Sequence, residues 1–133
     1  MLSWSRLAEA FPGWLGATTS GGRVVAEIEG RPYPSQEGPG CGVPVDAAVN
    51  LHAAAGATDV SIRLADMDAE GIDVQVLFGG LVIALSSFTD HGFARAFAAT
   101  YNDWLLDEVC AAAPDRSLAV AAVAIHDVAG AGA

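Results

Sequence analysis

His126 follows directly on the apolar run Leu118–Ile125, and Gly79-Gly80 follow in the same way on Val74–Phe78. In an α/β sheet the ligand crevice lies outside the carboxyl ends of the strands. Phe78, Gly79, Gly80 and His126 are therefore the candidates for a substrate pocket. A neutral imidazole in such a place can orient a substrate or relay a proton. The alternative is a strand-end histidine bonded to backbone or water. Asp127 is not its expected partner, because neighbours on an extended chain point to opposite sides. The two glycines either let the backbone approach a ligand closely or make a flexible turn into Leu81–Leu85.

Other chemistries find less support. A hydrolytic metal site needs at least three converging ligands and one open position. The histidines, His52, His91 and His126, stand far apart in the chain, so no catalytic or metal-binding set is assigned. Ser86 and Ser87 have no nearby base, and there is no nucleophile elbow. The glycines of Gly38-Pro39-Gly40-Cys41-Gly42 have the wrong spacing for a dinucleotide fingerprint. Arg23 and Arg31 read as solvated hairpin arginines. Cys41 and Cys110 make no disulfide framework, and two free thiols fit a reducing cytoplasm.

The elements that must position these residues follow from pattern. Trp4, Leu7, Ala8 and Phe11 form one apolar stripe on a helix within 1–15, with Ser3 as cap and Pro12-Gly13 as stop. Residues 16–34 read as a small antiparallel hairpin with turn chemistry at Ser20-Gly21-Gly22 and a second reversal at Glu29-Gly30. Pro32 and Pro34 confine the next segment to an edge or loop. Residues 35–58 have no sustained period and read as a long loop, either a lid or an oligomer contact.

From 59 to 127 the order is helix, strand, helix, strand. Val60, Leu64 and Met67 recur at helical spacing, with Asp59, Arg63, Asp66 and Glu70 on the other side. Thr58 or Asp59 caps the start, and Gly71 ends the helix in the left-handed conformation. Val74–Phe78 reads as a strand covered on both faces. Thr89 or Asp90 caps a helix from about His91 to Ala113, in which Phe93, Phe97, Tyr101 and Leu105 make a core stripe with Trp104 beside them. Arg95, Asn102, Asp103 and Asp107 point elsewhere. Pro114 ends this helix, and Leu118–Ile125 is the second strand. Alternation of this kind means α/β with a parallel pair.

"RLADMDAEGIDVQVLF", followed by "FARAFAATYNDWLLDEVCAAAPDR" and "LAVAAVAIHD", closely resembles the amidohydrolase-type metal-dependent hydrolases and decarboxylases, the group that includes aminocarboxymuconate-semialdehyde decarboxylase. The resemblance is strongest from Ile62 to Asp127, and its phrases are architectural. It implies a (β/α)8 TIM barrel with a divalent, zinc-like metal at the C-terminal ends of its strands and a small carboxylate-type substrate. It also implies a hairpin projecting towards the active-site mouth, where Arg23 or Arg31 would meet an acidic substrate. The family's first strand carries a His-x-His pair, with further histidines and an aspartate on later strands, and none of that pattern is found here. A barrel takes roughly 200 residues or more, against 133 in this chain. The expectation is a single incomplete barrel domain, residues 1–133: an N-proximal fragment with about two parallel βα units, inactive in isolation. The alternative is a non-catalytic α/β module that completes a barrel with another chain, or binds one.

Charge and hydropathy narrow the partners. Six basic against sixteen acidic residues give a net charge of −10, with no basic stripe to neutralise phosphates. That disfavours nucleic acid and an anionic membrane surface. The longest strongly apolar run, Val76–Leu85, is about half the ~20 residues needed to cross a bilayer, and the amino terminus lacks a signal-peptide pattern. A mean hydropathy of +0.40 is high for a soluble chain. It implies an unusually alanine-rich core together with surface meant for missing segments, and the latter implies self-association or a completing chain.

Overall fold

The computed structural model describes residues 4–20, 22–33, 55–57 and 59–127. The readings placed on Ser3, Thr58, Cys41, His52 and nearly all of the 35–58 loop lie outside the described residues, as do the side chains of Trp4 and Arg23. The chain divides near residue 54 into two compact units. Both are small, and together they make a mixed α/β chain with two separate sheets and no closed barrel among the described residues.

The first unit begins with helix α1, Trp4–Ala10, shorter than the 1–15 span read from the stripe. The chain turns at Gly13 (φ +82°), and Phe11 accepts from the N–H groups of Trp14 and Leu15. Three strands follow, β1 Leu15–Ser20, β2 Arg23–Ile28 and β3 Arg31–Tyr33, in an antiparallel meander. The second reversal is a two-residue turn in which Glu29 (φ +50°) and Gly30 (φ +73°) both take positive φ. That turn matches the twist of the strands it joins. Pro32 lies on β3, an edge strand, where a missing N–H leaves no gap in a central ladder. Among the described residues of this unit, Leu7, Leu15, Val25 and Ile28 are buried.

The second unit carries the candidate residues. Helix α2, Val60–Glu70, starts at Asp59, whose carboxylate accepts from the N–H groups of Ser61 and Ile62. It ends at Gly71 (φ +70°), with Gly71 N–H bonded to Asp68 O and Ile72 N–H to Met67 O. This paired closure satisfies two otherwise orphaned carbonyls. Strand β4, Gln75–Leu77, comes next, then a 3-10 helix over Gly80–Ser87 where a flexible turn was one reading. Helix α3, His91–Trp104, is capped by Asp90. Strand β5, Ser117–Ala119, pairs with β4 in parallel register, Gln75 opposite Ser117 and Leu77 opposite Ala119.

Three expectations need correction. The long helix does not run regularly to Ala113: from Leu105 to Cys110 it widens into a π-helical turn, with Ala111 N–H reaching back to Leu106 O. Phe93, Phe97, Tyr101, Leu105 and Val109, all buried, repeat every four residues. A regular helix of 3.6 residues per turn carries such a stripe round by about 40° per step, and the wider turn brings Val109 back to the core.

The strands are also shorter than the apolar runs. After Ala119 the chain makes one further bond to β4, from Val120 N–H to Leu77 O, and has no strand partner beyond it among the described residues. Finally, Val74–Phe78 is not covered on both faces. Val74, Val76, Phe78, Leu118 and Val120 are 39% to 76% exposed, because α3 and the π turn pack one face only.

Candidate functional site

The four predicted pocket residues are placed in two settings. Phe78 leaves the end of β4 and is 76% exposed. Gly79 precedes the 3-10 helix with an ordinary φ of −75°, and Gly80 is the first residue of that helix. The conformation at Gly79 therefore makes no demand that only glycine can meet.

His126 stands at the end of the extended segment that follows β5, exposed to solvent. Its ring stacks on that of His91 at the start of α3, with centroids 5.6 Å apart and planes within 15°. Asp127 turns to Arg95, one helical turn beyond His91, with Oδ2 3.4 Å from Nε. Periodicity missed the His91–His126 juxtaposition because the two residues lie in different elements. Arg31, the other hairpin arginine, donates to Glu29 at 2.9 Å and is exposed.

A concavity lies within the 55–133 unit, between α2, β4 and the α3/π segment. It is a cleft of about 320 Å³ whose lining includes Val60, Arg63, Phe78, Tyr101, Trp104 and Val109, so one of the four predicted pocket residues borders it. Arg63 is not on a purely solvent face of α2 as its spacing implies. It is half-buried, and its Nη1 donates to Gln75 Oε1 at 3.1 Å. Gln75 Nε2 in turn donates at 3.0 Å to the Oγ of Ser117, the one buried polar residue among the described residues. A helix, β4 and β5 are thus tied by one side-chain chain.

Tyr101 is buried, and that burial, reinforced by the thiol of Cys110, raises its pKa above the usual phenol value. Its hydroxyl has no hydrogen-bond partner among the described residues, yet no buried side-chain polar atom is left unsatisfied there. The hydroxyl therefore retains access to solvent. Trp104 lies beside it at 6.0 Å between centroids, with its indole N–H donated to Glu108.

The divalent metal implied by the resemblance does not fit the described residues, because no three His, Cys, Asp or Glu side chains among them converge. No helix among the described residues is long and apolar enough to cross a membrane. Searches against models of known protein families and against curated proteins find no match.

Proposed function

We propose that this chain is a segment of an amidohydrolase-type hydrolase or decarboxylase, contributing βα units of a barrel that acts on a small carboxylate-type substrate. The observation behind this reading is the parallel β4–β5 pair joined through α3. Its two carboxyl ends lead to Phe78-Gly79-Gly80 and, further along, to His126. Parallel strands with a helical crossover are the repeating unit of such barrels, and their active sites gather at those strand ends. In this reading Phe78 and His126 shape or orient the substrate. The metal and its ligands belong to strands other than β4 and β5, so no chemical step is assigned to the residues described here.

The uncovered face of β4 and β5 favours a second reading, a module whose barrel is completed by another chain. Val76, Leu118 and Val120 are the kind of apolar surface that a further chain covers. The DNA on both sides of the coding segment separates the two. An in-frame His-x-His strand upstream, with later His and Asp strand ends downstream, supports the enzyme segment. A separately translated frame holding the rest of a barrel supports the split assembly. Flanking DNA with neither sinks both.

A further inference from the structure

Strand β1 is the longer edge of the three-stranded meander, and its outward backbone is unpaired. The Glu29 N–H bonds to Trp14 O at 2.7 Å, and hydrogen-bonded pairs alternate along an antiparallel ladder. The register sets Gly16 opposite Glu27, Thr18 opposite Val25 and Ser20 opposite Arg23. Those three residues of β1 therefore turn their N–H and C=O groups to β2. Ala17 and Thr19 turn theirs outward, as does Leu15, whose N–H goes to Phe11 O. Both are exposed, and neither has a hydrogen-bond partner on that side among the described residues.

The two edges of this sheet differ. On β3, Arg31 and Tyr33 face β2, so the outward position belongs to Pro32, which has no N–H to give. Strand β1 has no proline and no charged residue, and so lacks the usual devices that keep an edge from being paired. A donor and an acceptor at both Ala17 and Thr19 are what an added strand reads.

Glu27 says what that strand carries. It is half-buried, and its carboxylate has no ion pair or hydrogen bond among the described residues. A methyl group placed on Gly16 would lie 3.7 Å from Glu27 Oε1. With no side chain on Gly16 between them, the carboxylate faces a strand laid alongside β1. The residue of that strand opposite Gly16 shares the face of Glu27.

We infer that the outer edge of β1 takes up an extended segment of another protein as a fourth, antiparallel strand, with a lysine or arginine opposite Gly16 that meets Glu27. A second copy of this chain fits worse. Its own Leu15–Ser20 is uncharged and offers nothing to Glu27, and each copy carries a net charge of −10. The inference rests on the first unit alone and is independent of the barrel reading.

The test uses the full chain and the peptide acetyl-Thr-Val-Thr-Lys-Thr-Val-amide, with amide shifts and hydrogen exchange read by residue at low salt. Binding should be saturable and should slow exchange at Ala17 and Thr19 by at least about tenfold. Replacing the peptide's lysine by norleucine should weaken binding roughly two- to fivefold, the size of one exposed ion pair. Glu27→Gln should remove that difference. Two backbone controls address strand addition itself. N-methylation of the peptide's first and third residues, which face β1 in this register, should abolish binding. Thr19→Pro should do the same, because it removes an outward N–H that the sheet does not use. The methylated peptide leaves the protein untouched, and carries the test where Thr19→Pro unfolds the sheet. No saturable binding, no protection at Ala17 and Thr19, or undiminished binding of the methylated peptide or by a folded Thr19→Pro variant overturns the proposal. So does a lysine preference that survives Glu27→Gln. Protection of both amides that rises with protein concentration in the absence of peptide assigns the edge to a second copy, and overturns it equally.

Discussion

Arg116 joins two parts of the chain through three hydrogen bonds from one planar group. Its Nε donates to Asp73 O at 3.1 Å, Nη1 to Asp68 Oδ1 at 2.7 Å and Nη2 to Ile72 O at 2.8 Å. It therefore ties the exit of α2 to the entry of β5, where a positive charge also suits the helix's C-terminal dipole. The ion pair with exposed Asp68 adds little in water, so the two carbonyl bonds carry the effect. Arg116→Lys should lose most of the stability that Arg116→Ala loses, roughly 1–2 kcal/mol in a urea melt, because an ammonium cannot span three acceptors in a plane.

Asp59 governs the other end of α2. The Ser61 hydroxyl first, then the Ile62 and Ser61 N–H groups, hold its pKa below the ordinary 3.8. A lowered folded-state pKa means the cap's contribution is present above pH 3.8 and is lost as pH falls through the folded value. Acid unfolding of Asp59→Asn, followed by circular dichroism, should accordingly lack that component. An unchanged acid midpoint would remove the cap from the account of acid stability.

At the scale of elements, the α3 stripe and one asparagine hold the second unit. Phe97 is fully buried, with Phe88 edge-on at 5.1 Å and Phe93 edge-on at 6.2 Å. Phe97→Ala should cost about 3–5 kcal/mol by calorimetry; a loss under about 1 kcal/mol would mean the helix packs loosely. Asn102 acts as a substitute strand. Its Nδ2 donates to Ala122 O at 3.0 Å and its Oδ1 accepts from Ala122 N–H at 2.7 Å, satisfying backbone that β4 no longer reaches. Asn102→Ala should cost roughly 1–3 kcal/mol, since both groups of Ala122 lose their partner.

These cases mark what was legible in advance. The Asp59 cap, the Gly71 stop, the aromatic stripe and the parallel pairing follow from local spacing, and all are in the structure. The roles of Arg63, Asn102 and Arg116 did not follow, because each partner lies 12 to 48 positions away. Strand length and two-faced burial failed for the same reason: an apolar run records an affinity for cover, while its neighbours decide whether cover is present. Phe78, Gly79 and Gly80 follow the end of β4, whereas His126, expected directly after a strand, lies well beyond β5, and its stacking on His91 needed the fold.

For the whole molecule, the unresolved balance is between an acidic charge and an uncovered apolar sheet face. Val74, Val76, Phe78, Leu118 and Val120 lie on β4, β5 and their flanks, each well exposed. A two-stranded sheet also has unpaired backbone along its outer edges among the described residues, a ready template for another strand. Burying apolar surface between two copies is favourable, while a net charge of −10 on each opposes it. The repulsion is long-ranged and screened by salt, with a Debye length of about 10 Å at 0.1 M and about 3 Å at 1 M; the apolar contact is not screened. Association should therefore grow with ionic strength, opposite to an interface held by ion pairs. Light scattering at the two salt concentrations should show a larger mean mass at the higher one. The double substitution Leu118→Lys with Val120→Lys should leave the mass monomeric at both, because it sets two hydrated charges on the face. A mass independent of salt, or association undiminished in the double variant, would assign the contact to another part of the chain.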